Sequence, residues 1–145
     1  MRECSECGAR YPADTDSCAA RFDQLLALDH SRREPWGSRH GQAFAAFALQ
    51  HPVEHRASVD SAWTALYRIY CLDQPPARVF GALRAAHGRV VSDPELPARA
   101  PAMVTRPAIT IADLGEFSAG DYATRLDEWC RATLRAWGAR IDVAA

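Results

Sequence analysis

Apolar positions along most of the chain recur three and four residues apart, which is the period of a helix buried on one face. The clearest stripe runs from Val59 through Trp63 to Tyr70, after a candidate N-cap at Ser58. Similar stripes precede and follow it, separated by proline, glycine or short polar segments. Together they predict five helices, over about residues 18–30, 38–51, 59–70, 76–88 and 120–137.

Residues that start or stop helices lie at the ends of these segments. Ser17 can cap the first helix, and Pro52 ends the second because the residue before a proline avoids helical backbone. Gly88 and Gly138 are natural left-handed stops for the fourth and fifth. The sequence "TIAD", residues 110–113, predicts a short capped turn.

Five amphipathic segments with short connections predict an all-α fold, a single helical bundle in which each stripe is buried against its neighbours. No alternation of strand, helix and strand is visible, although "RVV" at 89–91 and "AIT" at 108–110 could pair as two very short strands. We expect one domain over residues 1–145, made of a zinc-knuckle-like metal-binding loop over 1–18, a helical bundle over 19–140, and a proline-rich connection over 92–107.

Composition narrows the class of protein. The 145 residues are 48% apolar and 24% charged, as in soluble globular proteins, and no apolar run approaches the roughly 20 residues of a membrane helix. Seventeen basic and eighteen acidic residues give a net charge of −1 without a basic block, so we expect neither nucleic acid nor a membrane as a partner. The start, "MREC", lacks the apolar stretch of a secretory signal, so we expect a reducing, cytoplasmic setting.

Three of the five cysteines form the pattern C-x2-C-x10-C, at Cys4, Cys7 and Cys18. A CxxC turn is the most compact way for backbone to bring two thiolates to one ion, and Gly8 permits the left-handed geometry of such turns. Zinc prefers four thiolate and imidazole ligands in a tetrahedron, so three cysteines require one histidine. The pattern therefore predicts zinc as the cofactor.

The expected path of the first two helices ranks the histidines. The segment "SRREPWG" turns the chain, so an antiparallel pair brings Cys18, at the start of one helix, beside His51 at the end of the other. His40 lies at the opposite end, roughly 15 to 20 Å away at 1.5 Å of rise per residue. His51 is therefore the first candidate for the fourth ligand, His55 the second and His40 the third.

Three other interpretations of the cysteines are open. A redox-active CxxC of the thioredoxin type needs a strand-to-helix junction, which the pattern lacks. A structural disulfide is disfavoured by a reducing setting. The cysteines could also be unliganded, as we expect for Cys71 and Cys130, which lie on apolar helix faces and resemble small core residues.

The second helix suggests a pocket as well. His40, Phe44 and Phe47 share a stripe and could line it, with Gln50 beside them to orient a ligand. The alternative is that this stripe is ordinary core or boundary packing. No glycine-rich phosphate loop, GxSxG elbow or HExxH helix occurs.

Several segments resemble a family of small uncharacterised bacterial proteins. They are "CSECGARYP", "HGQAFAAFALQHP", "ITIADL" and "YATRLDEWCRATLRAW", where the family has a CPxCG-like pair, an LQHP segment after a histidine and a TVADV-like tail with two tryptophans. This chain departs from the family pattern at Ser5, where proline is usual. The resemblance implies a shared fold and no substrate, and a shared site whose residues here would be Cys4, Cys7, Cys18, His40, Gln50, His51 and Pro52.

Two classes of function follow. In the first, zinc is structural, holds the N-terminal loop on the first helix pair, and the helical body binds a protein partner or a small molecule. In the second, the protein is a metalloenzyme that uses an open zinc position or a pocket at His40 and Gln50. The thiolate-rich ligand set favours the structural role, because such sites are usually closed.

Overall fold

The computed structural model describes residues 2–12, 14–87 and 93–141. These residues form a mainly helical fold with one small β-hairpin, and none of their helices is long and apolar enough to cross a membrane. Three 3-10 turns, at Gly37–Arg39, Arg56–Ser58 and Ile111–Leu114, connect the larger elements. The elements are β1 (Arg2–Glu3), β2 (Arg10–Tyr11), α1 (Cys18–His30), α2 (His40–Gln50), α3 (Val59–Tyr70), α4 (Pro76–Ala85) and α5 (Tyr122–Ala136).

The five predicted helices are present, with small differences at their ends. α1 has the predicted bounds, and the Ser17 hydroxyl accepts a hydrogen bond from the Ala20 N–H at 3.0 Å. α2 begins two residues late because residues 37–39 form a 3-10 turn instead. Ser58 does precede α3, but its side chain makes no capping hydrogen bond.

α4 ends earlier than the glycine signal predicts. The helix stops at Ala85, and His87 already adopts a left-handed backbone with φ of +52°. A left-handed residue ends a helix by turning the chain away from the axis, whichever side chain it carries. Gly88 and the candidate strand at 89–91 lie outside the described residues.

The all-α prediction omits a hairpin at the N-terminus. β1 pairs antiparallel with β2, with Arg2 opposite Tyr11. The CxxCG turn between them reverses the chain: the Cys4 N–H donates to the Ala9 carbonyl at 2.8 Å, and the Gly8 N–H donates to the Cys4 carbonyl at 3.0 Å. Strands of two residues carry no period that a sequence pattern could reveal. The other candidate strand, at 108–110, is irregular.

α2 is the central helix of the bundle. Eight of its eleven residues are buried, and it packs against α1, α3 and α5. Small side chains such as Ala43, Ala46 and Ala48, each 0% exposed, allow the neighbouring helices to approach closely. The largest fully buried side chains are Trp129 on α5 and Trp137, the residue that follows this helix. Buried residues of the N-terminal loop belong to the same apolar core.

Buried hydrogen bonds hold the end of α2 in place. The Gln50 amide nitrogen donates to the Ile109 carbonyl at 2.8 Å and to the Thr133 hydroxyl at 2.9 Å. The Trp137 indole N–H donates to the Leu49 carbonyl at 2.9 Å. These bonds join α2 to α5 and to the irregular connection, and they fix the position of the residue that follows, His51.

The predicted turn at 110–113 is confirmed as a capping box. The Thr110 N–H donates to the Asp113 carboxylate at 2.8 Å, and the Thr110 hydroxyl accepts from the Ala112 N–H at 3.3 Å. The turn places Ile111 and Leu114 in the core, where both are almost fully buried.

The buried hydrogen bonds of the Gln50 amide stabilise the packing of α2. Replacing Gln50, which is 0% exposed, by alanine removes two buried hydrogen bonds and leaves a cavity, so we expect the free energy of unfolding to fall by about 2–4 kcal/mol. The measurement is urea unfolding followed by circular dichroism, with the exposed Gln24→Ala on α1 as control. A loss no larger than that of the control contradicts this account of α2.

Candidate metal centre

Four side chains that the sequence nominated as zinc ligands lie together at one end of the bundle. One ligand atom from each of Cys4, Cys7, Cys18 and His51 lies within 4.8 Å of all the others. The Cys7 and Cys18 sulfurs are 3.6 Å apart. Zinc bonds to sulfur of about 2.3 Å at tetrahedral angles place two sulfurs about 3.8 Å apart, whereas a disulfide requires about 2.05 Å. The cluster has the size of a metal site, and these cysteines are free.

The hairpin turn positions the first two cysteines. Gly8 adopts a left-handed backbone with φ of +83°, which a larger residue would adopt only with strain. That geometry lets the Ala9 N–H donate to the Cys7 sulfur at 3.4 Å. The third sulfur comes from Cys18, the first residue of α1, where Ser17 fixes the start of the helix.

His51 is oriented towards the sulfurs by its own helix. Its Nδ1 lies 2.8 Å from the Phe47 carbonyl, and because a carbonyl can only accept, Nδ1 carries a proton and Nε2 is the ring nitrogen available to a metal. Nε2 is buried and has no nitrogen or oxygen partner among the described residues. A histidine that donates from one ring nitrogen to a backbone carbonyl and presents the other is the usual arrangement of a metal ligand.

Aromatic packing fixes the plane of the His51 ring. Phe47 stacks on the imidazole with a centroid separation of 4.1 Å and an interplanar angle of 29°. Phe47 also stacks on Phe22 of α1, again at 4.1 Å. The imidazole is therefore part of the contact between α1 and α2, and it cannot rotate without disturbing that contact.

A tyrosine supports the third sulfur. The Tyr11 hydroxyl donates to the Cys18 sulfur at 3.1 Å, and Tyr11 is only 2% exposed. A hydrogen bond of this kind stabilises a negatively charged thiolate and orients it. Sequence reasoning missed Tyr11, since no spacing rule relates a residue of the hairpin to the first residue of the following helix.

The cluster favours a negative charge on one sulfur. The hydrogen bond from Cys7, together with those from His51 and Tyr11, lowers the pKa of Cys18 to about 4 against the opposing effect of burial. The same hydrogen bond, together with burial, raises the pKa of Cys7. Burial lowers the pKa of His51, but the Cys18 sulfur and the Phe47 carbonyl raise it more, to about 9.

Two further residues, Glu6 and Arg106, connect the CxxC turn to the rest of the chain. The Glu6 carboxylate accepts a hydrogen bond from the Val53 N–H at 2.7 Å, which joins the CxxC turn to the loop after His51. The Arg106 guanidinium donates to the Glu6 carbonyl at 3.4 Å and lies against Gly8, where an added Cβ would be 3.0 Å from Arg106 Nη1.

The structure separates the other two candidate histidines from the cysteines. The His55 ring packs edge-on against Phe47 at 5.5 Å and is not part of the cluster. His40 lies at the far end of the antiparallel pair of α1 and α2, where its ring is 5.9 Å from that of His30. The folding-back of the first two helices is therefore as expected, and it brings His51 to the sulfurs.

The structure places the four residues nominated for a pocket in different surroundings. His40 and Phe44 line a cleft of about 790 Å³. Gln50 is buried in the core with its amide bonded to Ile109 and Thr133, and Phe47 lies between the rings of Phe22 and His51. α2 is buried on nearly every side, so residues along one stripe contact different neighbours.

One acidic residue at the far end was not recognised as functional from the sequence. The Asp29 carboxylate is buried, with its Oδ2 2.9 Å from Nδ1 of His40 and its Oδ1 without a partner among the described residues. The hydrogen bond that His40 donates to Asp29, against the effect of burial, raises the pKa of His40. The sequence did contain a signal, because Asp29 shares a helix face with the apolar residues Phe22 and Leu25. A charged residue on such a buried face needs a partner.

Comparison with known proteins gives one match. A family model described as "Family of unknown function (DUF5946)" matches residues 2–138. No curated protein and no solved structure matches the chain significantly. The matched range contains all four residues of the cysteine–histidine cluster as well as the cleft between α2, α3 and α4.

The ion pair of Asp29 and His40 makes stability depend on pH. Because folding raises the pKa of His40, its contribution is fully present below the ordinary value of 6.5 and is lost as the pH rises through the raised value. We therefore expect His40→Gln to lower the free energy of unfolding more at about pH 6 than at about pH 9. Urea unfolding at both pH values measures this.

The matched control is the same substitution in an Asp29→Asn background. Without the carboxylate, replacing His40 should change the free energy of unfolding by a similar amount at both pH values. If His40→Gln in the native background also shows no dependence on pH, the pair does not exist in solution as described.

Proposed function

The chain belongs to the family of unknown function DUF5946, and we propose that its cysteine–histidine cluster is a structural zinc site that supports a ligand-binding helical body. The observation that carries the proposal is the Nε2 atom of His51. It is buried beside three sulfurs, without a nitrogen or oxygen partner among the described residues, while Nδ1 is fixed by Phe47. A bound cation satisfies this atom and the sulfurs together.

The chemistry of the donors favours zinc over other biological cations. Magnesium and calcium are bound by oxygen, and this cluster supplies none of its ligands from a carboxylate. Thiolates combined with imidazole are typical of tetrahedral zinc. Cys4, Cys7, Cys18 and His51 supply the four ligands that such a site needs, from atoms that already lie within 4.8 Å of one another.

A structural role accounts for what surrounds the cluster. Cys7, Cys18 and His51 are buried, and each is held by a second group: the Ala9 N–H, the Tyr11 hydroxyl and the Phe47 carbonyl respectively. Four protein ligands complete a tetrahedron, so no position is left for a substrate. The ion would join the hairpin, the start of α1 and the end of α2, and its binding energy would contribute directly to folding.

The alternative, a metalloenzyme, has one observation in its favour. A cavity of about 280 Å³ lies beside the cluster, and Glu54 lines it together with Cys4 and His51. All four ligands are among the described residues; Cys4 is partly exposed, and the other three are buried. An open zinc position would require one of the four donors to leave, which makes this function the second choice. An enzyme that uses a pocket shared by His40 and Gln50 is not supported, because those two side chains face different neighbours.

Metal content tests the identity of the ligands. We expect the purified protein to hold one zinc ion per chain, measured by native mass spectrometry and elemental analysis. Cys18→Ser and His51→Ala should lose the ion, since each removes a ligand. The controls Cys71→Ser and His55→Ala should retain it, because neither side chain belongs to the cluster. A His51→Ala protein that keeps full zinc while His55→Ala loses it would mean that the fourth ligand is misassigned.

Removal of the metal tests the structural role. We expect a chelator to lower the melting temperature, followed by circular dichroism, by more than about 10 °C, because zinc binding supplies several kcal/mol of folding energy. Adding zinc back should restore it, and the chelator should have no further effect on His51→Ala. If the metal-free protein melts at the same temperature as the zinc-loaded protein, the ion is not structural.

A further inference from the structure

A cleft of about 790 Å³ lies between α2, α3 and α4, at the opposite end of α2 from the cysteines. Sites for small organic molecules commonly measure about 300–1,000 Å³. The cleft is mainly apolar, with Phe44 on α2 and with Phe80 and Leu83 on α4 as its largest apolar side chains. None of these three is fully buried, so the cleft is open to a ligand from solution.

The cleft exists because α4 packs mainly on α3 and meets α2 through few residues. α4 has one fully buried side chain, Val79, which joins Ala65 and Ile69 of α3 in an apolar cluster separate from the main core. Across the cleft, small residues such as Ala45 and Ser61 leave the space unfilled. A main core and a satellite cluster that share α3 thus leave a gap between their outer helices.

Phe80 and Gly41 show that this gap is shaped by specific contacts. A Cβ added to Gly41 would lie 2.7 Å from the Phe80 ring, so the ring rests directly on the backbone of α2. The ring therefore forms an apolar floor in the cleft, and glycine is the residue that permits it. Any side chain at position 41 would push Phe80 towards the space that a ligand would occupy.

The charges at the cleft are of one sign. Three basic side chains, His40, Arg84 and His87, line it, and none of the described lining residues is acidic. Asp29 balances His40 from behind, so the excess positive charge comes from Arg84, with a contribution from His87 when it is protonated. Arg84 is exposed and makes no salt bridge with any residue in the described part of the chain.

We propose that this cleft binds a small carboxylic acid with an apolar chain or ring. The apolar part lies between Phe44 and the α4 side chains Phe80 and Leu83, and the carboxylate contacts Arg84 at the rim. The proposal rests on the function proposed above, because it names the class of ligand that the helical body binds. It does not depend on which metal, if any, the cysteines bind.

The experiment measures binding of octanoate to the full-length, zinc-loaded protein by calorimetry. Its neutral counterpart, 1-octanol, has the same number of carbons and no charge. We expect octanoate to bind with a dissociation constant below about 1 mM, and 1-octanol to bind at least about tenfold more weakly. Equal affinity for the two molecules, or no binding of octanoate, overturns the proposal.

Variants locate the site. Arg84→Gln should weaken octanoate binding about fivefold, as the loss of one exposed charge contact does. Arg78→Gln is the matched control, because Arg78 is also an exposed arginine of α4 and does not line the cleft. Ser61→Trp should fill the cleft and abolish binding. If that variant fails to fold, Leu83→Trp, at a half-buried position of α4, makes the same test.

Zinc content, measured on the same samples, separates this proposal from the metal site. A protein that holds zinc, melts normally and does not bind octanoate refutes the ligand class and leaves the structural site standing. A protein that binds octanoate and holds no zinc refutes the metal site alone. Binding that survives in a tryptophan variant with the fold intact places octanoate elsewhere and overturns the proposal.

Discussion

The hydrogen bond from Nδ1 of His51 to the carbonyl of Phe47 decides the chemistry at one end of this molecule. It occupies Nδ1, so Nε2 is the ring nitrogen that faces the three sulfurs and is available to a metal. The bond exists because α2 ends at Gln50 and the chain leaves the helix at His51, within reach of the last turn. Buried hydrogen bonds from Gln50 and Trp137 in turn fix that end of the helix.

α2 therefore links two sites of different character. At its C-terminal end lies the cluster of cysteines and His51, where the hairpin and α1 come together. At its N-terminal end, about 15 Å away by helical rise, lies the apolar cleft with its basic rim. The first end is mostly buried and densely hydrogen-bonded, whereas the second is open, and α4 meets α2 there mainly through Phe80 and Gly41. One helix can therefore hold a metal ligand at one end and line an open ligand cleft at the other.

The sequence predicted the features that depend on local pattern. Helical periodicity gave the five helices, and folding the first pair back on itself selected His51 over His55 and His40 as the residue beside Cys18. It missed the hairpin, because two-residue strands have no period. It grouped Gln50 with His40 in a pocket, because a stripe on a helix does not reveal which neighbour each residue meets. The cleft also escaped notice, since it lies between α2 and α4 and depends on how both helices pack on α3.

The central claim is that one zinc ion is bound by three sulfurs and one imidazole nitrogen, and X-ray absorption at the zinc edge of the purified protein tests it most directly. The account predicts three sulfur atoms at about 2.3 Å and one nitrogen atom at about 2.0–2.1 Å from the metal. A shell made only of nitrogen and oxygen, or one with fewer than three sulfurs, would contradict it.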